Sequence, residues 1–255
     1  MHFKRLTHLF TVISALFLAS CASVFLKTGS DASVVKIDSL AAPEDSLINA
    51  LVLPYKLSLD SQMNEIIGYS ERLIFKSNPE GLLNNLIADI VLNQTNKKNG
   101  ELKNGIVAHI ALLNNGGLRA PLPEGALTTR NIYEIMPFDN EIVILELKGE
   151  KVLEMFNFIA ACKGLPLAGA VVGIKDDKAG KITINNVPLD LNKNYFITTS
   201  DYLANGGDKM SFFSNPVRKI SINYLVRDAI IDYIKEQTAL KKTIDAKLDN
   251  RIYFE

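Results

Sequence analysis

Gly105 to Leu113 reads Gly-Ile-Val-Ala-His-Ile-Ala-Leu-Leu and runs directly into Asn114-Asn115-Gly116-Gly117-Leu118-Arg119. A continuous apolar run of this length predicts a strand buried on both faces. The two adjacent glycines let the backbone approach a ligand closely, and Arg119 adds a fixed charge with a planar donor fork. Downstream, Thr128-Thr-Arg-Asn predicts a capped short helix ended by Pro137. Met136-Pro137-Phe138-Asp139-Asn140 then turns the chain into a strand over Glu141 to Leu147. The stretch from Asn114 to Asn140 therefore reads as a ligand cradle.

A second segment repeats the pattern: Thr198-Thr-Ser-Asp-Tyr-Leu-Ala-Asn-Gly-Gly-Asp208 combines an extended run, an aromatic, paired glycines and a carboxylate. At these two places the chain resembles the C-terminal, substrate-binding domain of the 5'-nucleotidase family. That family carries an Asn-Gly-Gly-Gly-Ile-Arg loop, a Pro-Phe-x-Asn turn and a Phe/Tyr-x-Ala-x-Gly-Gly-Asp-Gly loop, and counterparts to all three occur here in that order. The resemblance runs from about Leu82 to the C-terminus and includes the final Arg251-Ile-Tyr. It implies that Phe138 and Tyr202 sandwich a base and that Asn114 addresses the base edge. Asn140 is the amide of the Pro-Phe-x-Asn turn, Asp208 accepts from ribose hydroxyls, and Arg119 reaches the ribose or phosphate end. Gly116 and Gly117 complete the substrate-binding set.

There are departures from the family pattern. Lys209 stands where the family has glycine after Gly-Gly-Asp, which puts a Cβ and a charge beside the pocket. Asn84 takes the glycine position of a Gly-Asn-Leu-x-Ala-Asp signature, here Asn84-Asn-Leu-Ile-Ala-Asp89. Arg72 and Lys76 are the nearest counterparts of an upstream basic pair that contacts ligand in some relatives, with solvated strand-edge charges as the alternative.

The order of predicted elements mixes strands and helices without regular alternation, which favours an α+β domain with mixed sheets packed with helices. Helices are predicted on either side of a break at Pro54, the second capped at Asp60-Ser61, and their role is packing. A strand is predicted over Tyr69 to Phe75, a helix from Pro79 to Leu92, and a polar turn at Asn96-Lys-Lys-Asn-Gly100. An amphipathic helix follows over Gly149 to Ala161. Short strands are predicted at Ala168 to Ile174, Lys181 to Ile184, Val187 to Leu189 and Asn194 to Thr199. A late helix covers Tyr224 to Glu236, and a closing strand covers Asn250 to Phe254.

The N-terminus carries a targeting signal. His2-Phe-Lys-Arg precedes an apolar core from Leu9 to Leu18, too short to span a bilayer, and Leu18-Ala-Ser-Cys21 resembles a bacterial lipobox. The expected organisation is a signal peptide over 1–20, a spacer over 21–43 after a lipidated Cys21, and the binding domain over 44–255. Several acyl chains at about 0.8 kcal/mol per buried methylene anchor a protein permanently. The expected location is the bacterial cell envelope, on the periplasmic or outer-membrane face. Cys162 then has no partner for an internal disulfide and is expected to be a buried structural thiol on a helix.

Composition narrows the function classes. Hydrophobic residues make up 47% of 255, ample for a packed core. Of 28 basic residues, Lys4 and Arg5 leave with the signal peptide, so 26 face 28 acids and no broad attraction for nucleic acid arises. Gly116 and Gly117 are not a phosphate loop, because Gly-x-x-x-x-Gly-Lys-Ser/Thr is absent. No Gly-x-Ser-x-Gly elbow supports a triad. His2 and His8 fall in the signal peptide, and His109 is expected to be a hydrogen-bonded core imidazole, so residues 21–255 offer no dinuclear metal site. The Asp-x-His and Gly-Asn-His-Glu motifs of the family's metallophosphatase domain do not occur. The resemblance thus implies a nucleotide- or nucleoside-binding half of a split hydrolase, inactive alone. It would need no cofactor in this chain, and a separate metallophosphatase would hold the divalent metal. The alternative is a stand-alone nucleoside-binding lipoprotein.

Overall fold

A computed structural model describes residues 29–34, 45–103 and 105–255. The signal peptide, Cys21 and most of the expected spacer lie outside the described residues. The chain divides into two units, residues 1–52 and 53–255. In the first, Gly29 to Val34 has no regular structure. The boundary falls within helix α1 (Ser46–Met63), which runs through Pro54 without the expected break and buries none of its residues, so the packing role expected for it is not seen. One missing amide does not end a helix whose flanking turns are rich in Leu. Asp60 sits inside α1 and pairs with Arg130 at 2.7 Å instead of capping a second helix.

The second unit is α+β, as its sequence predicts. Strand β1 (Ile66–Ser70) pairs antiparallel with β3 (Gly125–Thr128). It ends before the predicted Tyr69 to Phe75 strand does, and Ile74 contributes only an isolated bridge to Leu122. Helix α2 (Leu82–Glu101) extends through the stretch expected to turn at Asn96 to Gly100. The Asn96 side chain bonds both ways with the Ala108 backbone, and the Asn99 amide donates to the Ile106 carbonyl. These asparagines pin the helix to the following chain and do not turn it.

Five strands build the central sheet in the order β10, β4, β9, β2, β5, from β2 (Ile110–Leu112), β4 (Glu141–Lys148), β5 (Leu167–Ala168), β9 (Asn194–Ser200) and β10 (Arg218–Leu225). Alternate residues of β4 serve two hydrophobic clusters. Ile142 and Ile144 join the side built with α2 and the late helix α6 (Val226–Ala239), while Val143, Leu145 and Leu147 join the side built with α4 (Gly149–Ala161). A sheet covered on both faces explains why β2 and the middle of β4 read as unbroken apolar runs. The second cluster also packs a four-stranded sheet, β11 (Ile252–Phe254), β6 (Ala170–Lys175), β7 (Lys178–Ile184) and β8 (Val187–Pro188). Strand β11 is held by Arg251, whose buried guanidinium donates to Asp89 of α2 at 2.6 Å, to Asp249 at 2.8 Å and to the Leu167 carbonyl at 2.9 Å.

Two further expectations change. The buried strand predicted from Gly105 is shorter: Val107 is exposed and regular pairing begins at Ile110. His109 is half-buried and not central to a strand, yet it is hydrogen-bonded as expected, its Nδ1 accepting from the Phe196 amide at 2.9 Å. Cys162 is exposed, because it caps the C-terminus of α4 just past the last buried turn at Ile159 and Ala160.

Candidate functional site

The sheet's topology gathers the predicted residues. Strands β2 and β9 run parallel, so both end at one edge, and β4 runs antiparallel to β9, so it begins there, with Ile142 opposite Ser200. The loop after β2 carries Asn114 to Arg119, the loop after β9 carries Tyr202 to Asp208, and the turn before β4 carries Phe138 and Asn140. One cavity of about 310 Å³ is lined by Asn114, Gly116, Gly117, Arg119, Phe138, Asn140, Tyr202 and Asp208. Residues up to 94 positions apart in sequence thus meet because three strand ends coincide.

Local chemistry sets each side chain. After Thr128 caps α3 (Thr129–Ile135) through a reciprocal bond with Asn131, Pro137 stops the helix and Phe138 stands 42% exposed in the cavity. Arg227 of α6 holds this turn from behind: it is 5% exposed, donates to the Met136 and Phe138 carbonyls and to Asp139, and lies 4.0 Å from the Tyr133 ring centre. Its Nε is the one buried side-chain polar atom without a partner among the described residues. Sequence reasoning missed Arg227. The available signal was an arginine among Val226, Ala229 and Ile230, where burial demands partners.

At the end of β9, the Ser200 hydroxyl accepts from the Leu203 amide and starts the short helix α5 (Asp201–Ala204). Asp201 Oδ1 accepts from the Tyr202 amide at 2.8 Å and the Glu141 amide at 3.1 Å, which ties the Tyr202 turn to the start of β4. Gly206 has φ 90°, and Asp208 and Lys209 are also left-handed, with φ 51° and 65°. The Cβ of Lys209 is therefore accommodated at about 1 kcal/mol of backbone strain.

Asp208 is the hub of the site. Its Oδ1 accepts from the Tyr202 hydroxyl at 2.8 Å and its Oδ2 from the Asn114 amide at 2.6 Å. The bond to Asp208, together with its charge, holds the Tyr202 hydroxyl above the ordinary tyrosine range. Cys162 is near enough to feel Asp208: burial first and that carboxylate second push its thiol up. The glycines make room for this arrangement. A methyl on Gly117 would stand 2.9 Å from Asn114 Oδ1, one on Gly116 3.3 Å from Asn114 Nδ2, and one on Gly207 2.5 Å from Tyr202 Cε1. Gly116 and Gly117 thus seat the Asn114 carboxamide, a contact the sequence reading did not foresee.

Behind the loop, Lys76 donates to the Asn115 and Leu118 carbonyls at 2.9 and 2.7 Å, and Asn84 donates to the Asn115 side chain at 2.7 Å. Lys76 and Asn84 therefore support the loop. Arg72 is engaged elsewhere, pairing with Asp245 at 2.7 Å and with the Ala246 carbonyl. Arg119 folds onto the loop, its Nη1 donating to the Gly116 carbonyl at 3.3 Å. Among the described residues no group of three or more His, Cys, Asp or Glu could hold a metal ion.

A family model described as the 5'-nucleotidase, C-terminal domain matches residues 66–215. The chain belongs to this family. The match begins upstream of the Leu82 boundary read from the motifs. The mouse 5'-nucleotidase is 24% identical over 83% of this chain and 41% of its own length. The protein UshA of Escherichia coli is 24% identical over 54% and 26%, and the cell wall protein Lmo0130 of Listeria monocytogenes is 27% identical over 80% and 29%. The chain thus spans between 26% and 41% of these relatives. Among solved structures, the 5'-nucleotidase precursor of Thermus thermophilus superposes with a TM-score of 0.68 at 26% identity, covering 84% of this chain and 44% of that one.

Proposed function

We propose that this chain is the nucleotide- or nucleoside-binding half of a 5'-nucleotidase-type hydrolase, and that it presents a phosphate ester to a metallophosphatase on a separate polypeptide. The observation that carries this reading is one cavity that holds two exposed rings, Phe138 and Tyr202, beside the Asp208 carboxylate and the Arg119 cation. Rings stack on a flat heterocycle at about 1–3 kcal/mol per contact, the carboxylate accepts from sugar hydroxyls, and the guanidinium suits a phosphate. Family membership supports the same substrate class.

The partner would hold the divalent metal and supply the activated water, while this chain binds and orients the nucleotide. The lipobox-like Leu18-Ala-Ser-Cys21 supports tethering of the pair at the bacterial cell envelope by a lipid on Cys21. The test is AMP hydrolysis by the purified chain, alone and with a co-expressed secreted metallophosphatase that lacks such a binding domain. Hydrolysis only in the mixture is the expected result. Metal-dependent hydrolysis by this chain alone refutes the split arrangement.

A further inference from the structure

Asp208 is held at both oxygens by neighbouring side chains. An ionised carboxylate has about four acceptor positions, two on each oxygen. The Tyr202 hydroxyl takes one on Oδ1 and the Asn114 amide takes one on Oδ2, at 2.8 and 2.6 Å. The left-handed backbone at Asp208 carries this carboxylate into the cavity beside Tyr202, and the bare faces of Gly116 and Gly117 leave space for the Asn114 carboxamide next to it. Two side chains, one from each loop, thus fix the plane of one carboxylate, with one acceptor position still open on each oxygen.

We infer that Asn114 and Tyr202 act on the ligand through Asp208, aiming its carboxylate so that the two open positions receive the two hydroxyls of a vicinal diol. This rests on the nucleoside reading of the cavity and deepens it by naming the two side chains that aim the sugar-binding carboxylate. Asn114 is then a positioning residue for the sugar through the N–H group that it commits to Asp208. Tyr202 has two separable roles, its ring as a stacking face and its hydroxyl as an aiming group. A phenylalanine would keep the first and lose the second.

The experiment is a calorimetric titration of adenosine and 2'-deoxyadenosine into the wild-type chain, Tyr202→Phe and Asn114→Ala, with circular dichroism confirming that each variant is folded. The wild type is expected to prefer adenosine by about tenfold, the size of one hydrogen bond to a charged acceptor. In each variant the ratio of the two affinities is expected to shrink to about threefold or less, because a carboxylate free to rotate holds the second hydroxyl poorly. An unchanged ratio in folded Tyr202→Phe, with both ligands weakened equally, overturns the inference while leaving the nucleoside reading intact. Failure of the wild type to bind either nucleoside overturns both.

Discussion

Replacing Gly207 with alanine separates the cavity from the fold. The added methyl would stand 2.5, 2.6 and 2.7 Å from Cε1, Cζ and Cδ1 of Tyr202, about 1 Å inside a normal carbon contact. Gly207 lies outside the left-handed region that Gly206, Asp208 and Lys209 occupy, so its backbone accepts alanine, and the ring must give way. Tyr202 is 47% exposed and can swing outward with little loss of core packing. Alanine also lowers the entropy of the unfolded chain, worth about 0.4–1 kcal/mol in favour of the fold. Stability is therefore expected to change by less than about 1 kcal/mol, or about 2–4 °C in Tm for a chain of this size. Affinity should fall much more. Losing one stacking face removes about 1–3 kcal/mol, a five- to 150-fold weakening of nucleoside binding. Thermal melts and calorimetric titration of Gly207→Ala with adenosine measure both quantities. A variant that binds as the wild type does, or that fails to fold, refutes the reasoning.

Further predictions concern pH and the C-terminal anchor. Burial lowers the pKa of His109, whose Nδ1 accepts from the Phe196 amide and cannot do so once protonated. The fold therefore favours the neutral ring. Its contribution is complete above the unfolded value of about 6.5 and is lost as pH falls through that value toward the lower folded one. Urea midpoints at pH 7.5 and 5.5 are expected to drop more for the wild type than for His109→Gln, and an equal drop contradicts this. Arg251→Met leaves Asp89, Asp249 and the Leu167 carbonyl without their shared donor. Because both acids are about half exposed, the expected loss is about 1–3 kcal/mol, read as a lower Tm; an unchanged Tm contradicts the anchoring role.

Much of the fold is legible where signals are local. Thr128 and Asn131 cap a helix that Pro137 stops, and the apolar period over Gly149 to Ala161 gives that helix its observed bounds. The failures come from distant partners. The Asn96 to Gly100 stretch looks like a turn because its asparagines favour turns, but the carbonyls of Ala108 and Ile106 engage two of them. Strand β10 went unpredicted because its Arg218, Lys219 and Asn223 obscure any apolar run, and its pairing with β4 supplies the order that its own sequence lacks. The cavity's lining was readable from the two glycine-containing loops and the Pro-Phe turn. Its supports were not, since Arg227, Lys76 and Asn84 act from other elements through bonds that no spacing reveals.

The proposed function depends on Phe138 and Tyr202 receiving a flat heterocycle between the ends of three strands. Calorimetric titration of adenosine into the wild type and Phe138→Ala tests this most directly. Single-site binding that weakens at least about fivefold in the variant is the predicted result. The absence of binding heat with the wild type, or equal affinity in both proteins, would contradict it.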